Sequence, residues 1–395
     1  MKLLKQLNGF DQFGCILVLC SQLAVGQSAP ATPPAGQKTA QTPRTAEEKN
    51  SLDRALLDAV EYDNRSEVRQ LLAEGGDPNA HDEHGVTALM KSAEDMDAEL
   101  ARTLIVAGAD VNAHDAVGMT ALLTAADDGS PDVLRLLLAR RADVSARDAN
   151  GWNAVIFAAD AHRADLVRLL LGAKADCLAQ DKIGISALML AAAGDDASTA
   201  EALLNAAAAA DKLVAAKRRP SAPSQLRLMV DAHDQRGWTA LHHAAVRGAE
   251  RTVRQLLQRG ADPNAGQGTG PTPLLLAAES GDPGAVEALL AHKADPNAPG
   301  ANGITPLIQA ADAGNAGVVQ LLLGQGAEPN AAARDGRTAL MEAGAGGYTE
   351  IVHMLLEKGA EPNARMANGA SVLARASARP QNEAVIELLK KAGAR

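Results

Sequence analysis

Aromatic side chains are nearly absent from this chain of 395 residues, which has two Trp, two Tyr and three Phe. An interface built on many aromatic anchors is thereby excluded, and the place of each ring becomes informative. Cysteine is as scarce: Cys15 and Cys20 lie in an apolar stretch near the start, and Cys177 stands alone in the rest. Loss of that stretch on export would leave no intrachain disulfide to form, and Cys177 reads as a small filler in its turn. Basic charge is in deficit, with 38 Lys and Arg against 48 Asp and Glu and a net charge of −10. Without residues 1–26, which hold Lys2, Lys5 and Asp11, the balance is 36 against 47, or −11. That excess argues against nucleic acid and disfavours anionic membrane surfaces. No apolar run reaches the roughly 20 residues of a membrane span. Gly14 to Val25 is the longest candidate, and no integral membrane segment is expected after it. A G-x-S-x-G elbow, a phosphate-binding Gly-rich loop and a Cys/His nucleophile arrangement are all missing, so no enzyme is expected.

What is present is a period. A helix-starting residue recurs at Thr87, Thr120, Asn153, Ser186, Thr239, Thr272, Thr305, Thr338 and Ser371. The numbering advances by 33 each time except from Ser186 to Thr239, where it advances by 53, or 33 plus an insertion of 20. A fixed period of this size marks a stacked solenoid. In the unit that begins at Thr239, the threonine reads as an N-cap whose hydroxyl accepts from the first turn. Leu241, Ala244 and Ala245 follow at helical spacing, and Gly248 closes this short helix. A second helix starts near Glu250 with Val253, Leu256 and Leu257 as its apolar stripe. Gly260 falls where the C′ residue turns left-handed, and Asp262-Pro263-Asn264 to Gly270 form a turn-rich finger. Leucine or isoleucine pairs mark the second helices from Leu71-Leu72 to Leu388-Leu389. At three C′ positions glycine is replaced by Arg141, Lys174 and Lys293, which are expected to be left-handed at a cost of roughly 1–2 kcal/mol each.

The unit resembles an ankyrin repeat. Thr239-Ala240-Leu241-His242-His243-Ala244-Ala245 is close to that family's helix-opening signature, and Gly260-Ala261-Asp262-Pro263-Asn264-Ala265 matches its finger. The resemblance covers about residues 54 to 395 as ten units and implies an all-α solenoid. One departure is plain: the signature histidine survives only at His242, with Met90, Leu123, Ile156, Met189, Leu275, Ile308 and Met341 in its place elsewhere.

The ends carry separate expectations. Lys2, Lys5, the apolar Gly14 to Val25 and the small-residue pattern Ala24-Val25-Gly26 read as a signal peptide cleaved before Gln27. The mature protein would then be periplasmic or secreted. Residues 27–50, rich in Ala, Pro, Thr and Gln, read as a disordered linker, and residues 51–395 as the repeat domain. Val385, Ile386, Leu388 and Leu389 face inward in a terminal capping unit that Lys390, Lys391 and Arg395 solvate.

The family resemblance implies a concave face lined by fingers and first-helix ends, and a protein partner bound there. Mapped onto it, Glu94, Asp95, Asp127, Asp128 and Asp160 form an acidic stripe that could steer a basic partner. The later units give Val246 and Arg247, Glu279 and Asp312. Trp152 and Trp238 share one position just before the cap, either as interface anchors or as local packing. Tyr62, Phe157 and Tyr348 read as helix-face packing. The insertion, about 211–230, continues a helix through Lys217, breaks at Arg219-Pro220 and loops to Gln225. Lys212, Lys217, Arg218, Arg219 and Arg227 make it basic, and it is the active element of the alternative reading, an inhibitor or regulatory subunit of an exported enzyme. His81, His84, His114 and His233 fall on fingers without metal-site spacing, so no cofactor or metal is expected. The chain is expected to act as a monomer.

Overall fold

The computed structural model describes residues 45–216, 223–268, 270–379 and 382–395. The expected signal peptide lies outside the described residues, as do Lys217, Arg218 and Arg219. Among the described residues the regular elements are helices, from Ala46–Glu61 to Glu383–Lys391, and no strand forms beyond isolated bridges. The all-α solenoid expected from the period is the architecture observed. All nine periodic residues sit at helix N-caps with extended backbone. At eight of them the side-chain oxygen accepts from the N–H three residues on, as Thr305 does from Ile308 at 3.4 Å.

Thr239 differs in how it caps. Its backbone N–H donates to Nδ1 of His242 at 3.1 Å, and its hydroxyl lies 2.9 Å from the same nitrogen. Nε2 of His242 then donates to the Pro271 carbonyl at 3.1 Å, tying this unit to the next. Burial pushes His242 down to about 4, so the neutral ring holds both bonds.

From the second unit on, a short alanine-rich helix pairs with a longer leucine-rich one. The alanines are fully buried, as at Ala125, Ala126, Ala158 and Ala159, and they let first helices approach more closely than second helices. The stack therefore curves with first helices and fingers on its inner side. One continuous core runs from Leu56 to Ala394.

Two ladders stitch neighbouring units. The finger-tip carbonyls of His84, Val117 and Asn150 accept from the N–H of Ala116, Ala149 and Lys182 in the next finger, at 2.7–3.0 Å. Asparagines at the finger base reach across as well. Asn297 accepts from the N–H of Glu328 at 2.8 Å and donates to the Gly326 carbonyl at 3.1 Å. Asn264, Asn330 and Asn363 repeat this clip.

Arg141, Lys174 and Lys293 are left-handed, with φ of 63°, 67° and 70°, as their C′ positions require. Three features depart from the sequence reading. The linker cannot extend to residue 50, because a helix runs from Ala46 to Glu61 with Thr45 in a capping box with Glu48; that local cap and Leu56, Ala59 and Val60, which bury against the next unit, draw the start of the array forward. The loop of the insertion ends before Gln225, which opens the helix Gln225–Asp231. Finally, the last second helix starts late: its N-cap Asn382 follows the N-cap Tyr348 by one position more than the period, so Leu389 takes the fully buried place that Leu355 holds one unit earlier.

Candidate functional site

The acidic stripe is assembled by three consecutive first helices that end on the inner side of the stack. Glu94 is the last residue of Ala88–Glu94, and Asp95 caps it. Asp127 ends Ala121–Asp127 and Asp128 caps it, while Asp160 ends Ala154–Asp160. Glu94, Asp95, Asp127 and Asp128 are exposed and Asp160 is half-buried. A helix C-terminus carries partial negative charge from its unpaired carbonyls, so carboxylates there are disfavoured by the helix itself. They also disfavour one another. Partial withdrawal from water, then the charges of Asp127, Glu94 and Asp95, push Asp128 up to about 6. The same causes raise Asp95, beside Glu94, and Asp127, beside Asp160.

Cations do little to relieve this. Lys91 reaches Glu94 at 3.1 Å, but among the described residues no ion pair reaches Asp95, Asp127 or Asp128. The arginines of the same region pair on the second-helix side instead, Arg65 with Asp97 at 2.9 Å and Arg69 with Glu99 at 2.6 Å. The stripe ends at the fourth unit. In the fifth, Ala193 and Gly194 are uncharged, and in the sixth the exposed Arg247 caps its helix with the charge that the helix end favours.

Both tryptophans have local partners. Trp152 donates Nε1–H to Asp181 at 3.1 Å and meets Phe157 edge-on at 5.1 Å. Trp238 stacks on His242 at 6.0 Å, with the Arg236 guanidinium 4.5 Å from its centroid on the ring face. Each ring stays half-buried and held in one orientation. Phe157 is buried, and Tyr348 lies against Gly314, where an added Cβ would come within 2.6 Å of its ring. Tyr62 is the exception to the packing expectation. It is 81% exposed, because it caps its helix at a place that is exposed in later units too, at Asp95, Asp128 and Arg247.

The insertion is a built element. The helix Ala197–Ala216 continues straight through Lys212, as the alanine run predicts. Asp211 then accepts from the Ser224 hydroxyl and the Gln225 N–H, each at 2.6 Å, which fastens the returning helix. Arg227 donates to the Gly260 carbonyl at 3.1 Å and pairs with Asp231. Leu213 and Leu228 are left exposed, and a cleft of about 440 Å³ opens beside Cys177, Leu178, Met229 and His233. Burial and Asp176 push the Cys177 thiol up, away from the thiolate a nucleophile needs.

The sequence reading missed one inner-face cluster. Glu342, with its side chain 4% exposed, meets Arg375 at 2.7 Å and Arg337 at 3.6 Å. Burial raises it despite these cations. The signal was present: Glu342 and Arg375 are one period apart, at the same place in consecutive units. The finger histidines have structural bonds, His81 and His114 each through Nδ1 to the following carbonyl. Among the described residues no group of three or more His, Cys, Asp or Glu could hold a metal ion, and no helix is long and apolar enough to cross a membrane.

A profile of the family described as Ankyrin repeats (3 copies) matches residues 56–148, 212–300, 274–366 and 307–395. No curated protein matches the chain.

Proposed function

We propose that this chain, which belongs to the ankyrin repeat family, binds a basic protein partner through the inner face of its N-terminal units. Ankyrin repeats generally mediate protein–protein interaction, typically as non-enzymatic scaffolds. One observation carries the finer reading: carboxylates stand at the C-terminal ends of three consecutive first helices, against the helix dipoles and against each other. An arrangement that opposes stability three times over is accounted for by a cationic partner, which would relieve both repulsions on binding. Trp152 and Trp238 contribute edges already fixed by their local contacts, so little side-chain freedom is lost on binding. Arg247 interrupts the acidic surface, which resumes at Glu279 and Asp312. The chain acts as a monomeric, rigid platform, exported to the periplasm or beyond after cleavage before Gln27. N-terminal sequencing of the secreted form tests that step, and a chain that still begins at Met1 refutes it.

A second reading rests on the insertion, whose two helices leave Leu213 and Leu228 exposed beside Lys212 and Arg227. Here the chain is an inhibitor or regulatory subunit of an exported enzyme. A crosslinking pull-down separates the two. Neutralising Glu94, Asp95, Asp127, Asp128 and Asp160 abolishes capture in the first case, and deleting 211–230 does so in the second. Capture that survives neutralisation overturns the first reading.

A further inference from the structure

Two large apolar side chains stand in the open beside the acidic stripe. Tyr62 is 81% exposed and Met96 57% exposed. Both follow the ends of first helices in neighbouring units: Tyr62 caps the first helix of the first unit, and Met96 directly follows Asp95, the cap of the next. Met96 is left-handed, with φ of 58°. At the same place the third, sixth, seventh, eighth and ninth units have Gly129, Gly248, Gly281, Gly314 and Gly347, all with positive φ. The first, fourth and fifth have the polar Asp63, His162 and Asp195. Among the described residues of the series Met96 is thus the one apolar side chain, at a position where it strains the backbone and stays largely exposed. Stability does not account for it.

The surroundings limit what can cover this pair. Asp95, which directly precedes Met96, is close enough to Glu94, Asp63 and Asp97 to be raised by them, and Asp128 to be raised by Glu94 and Asp95. Glu61 ends the first helix and acts on Lys91. Lys91, held by Glu94, and Arg65, drawn to Asp63, Asp97 and Glu99, are the nearby cations. An acidic or purely apolar segment would bury these carboxylates without compensation. A segment with lysine or arginine beside a large apolar side chain satisfies both components, and flexible methionine adapts to the shape of such a group.

We infer that Tyr62 and Met96 are the apolar anchors of this face, and that its partner presents a basic amphipathic segment across the first two units. This rests on the stripe being a binding face and adds the requirement for apolar side chains.

The test uses the full chain and three short fluorescein-labelled peptides followed by anisotropy: one of Lys and Leu in amphipathic register, one of Lys and Ser with equal charge, and one of Glu and Leu. The Lys/Leu peptide binds about tenfold tighter than Lys/Ser, the return expected for burying one large apolar side chain, and Glu/Leu does not bind. Tyr62→Ser with Met96→Gly brings Lys/Leu down to the Lys/Ser level and leaves Lys/Ser unchanged. Tyr62→Ser with Met96→Gly melts no lower than the parent, so a fold defect is not the cause. Equal binding of Lys/Leu and Lys/Ser, Lys/Leu binding that persists in the double variant, or no binding by Lys/Leu overturns the anchors. The neutralised-stripe pull-down still judges the binding face separately, since it does not depend on Tyr62 or Met96.

Discussion

Replacing Asp128 with asparagine should make the array more stable at neutral pH. The carboxyl is held at about 6 in the folded chain, against an ordinary 3.8, by partial withdrawal from water and by Asp127, Glu94 and Asp95. Between those two values the folded state keeps a proton that the unfolded state has released. Stability therefore falls as pH rises from about 4 to about 6, and the loss is complete above that. The full shift corresponds to roughly 3 kcal/mol. Solvent reaches this exposed side chain and screens it, so roughly 1 kcal/mol is the expected cost. Asp128→Asn is nearly isosteric and removes the charge. Its melting temperature should exceed that of the parent by roughly 2 °C at pH 7 and match it at pH 4. Scanning calorimetry across that range reads the difference directly. A variant that is neutral or destabilised at pH 7, or whose pH profile runs parallel to the parent, would refute the claim that these carboxylates are held against the fold.

Other residues give independent checks. Lys174→Gly relieves a left-handed backbone, φ 67°, and should stabilise by roughly 1 kcal/mol in urea titration; an unchanged midpoint would show that the position is unstrained. Glu342→Ala takes its carboxylate from Arg375, while Arg337 keeps Asp335 at 2.7 Å, at a cost of roughly 2 kcal/mol, read as a lower urea midpoint; a loss below about 1 kcal/mol would mean the cluster behaves as a surface pair. Asn297→Ala removes a bond in each direction between two units and should cost roughly 1–2 kcal/mol, with faster amide exchange at Glu328 as the local signature. Protection of Glu328 that matches the parent would refute the clip.

Much of this fold was legible because repeat architecture encodes local and nearest-neighbour terms at a fixed spacing. The N-caps, the leucine pairs and the three non-glycine C′ residues could all be placed by counting. The carboxylate stripe was legible for the same reason, since first-helix ends recur with the period. What escaped lies where the period ends or where side chains choose among neighbours. Tyr62 has the composition of a packing residue but stands at a first-helix cap, a place that is exposed at Asp95, Asp128 and Arg247 as well. Thr45 begins its helix earlier than the repeat alone indicates, because a capping box is set by the local sequence Thr45 to Glu48. Glu342 and Arg375 sit one period apart, but the sequence does not state that one would be buried beneath the other. Trp152 and Trp238 share a position, yet their partners differ because Asp181 accompanies one and Arg236 and His242 the other.

The account stands or falls on which face meets the partner. Hydrogen–deuterium exchange on the crosslinked complex, compared with the free chain, measures this most directly. The predicted result is new protection at the first-helix ends of the second to fourth units, residues 90–97, 123–130 and 156–163, with second helices unchanged. Protection confined to residues 205–232, or to the second helices, would contradict it and move the binding surface to the insertion or the outer side of the stack.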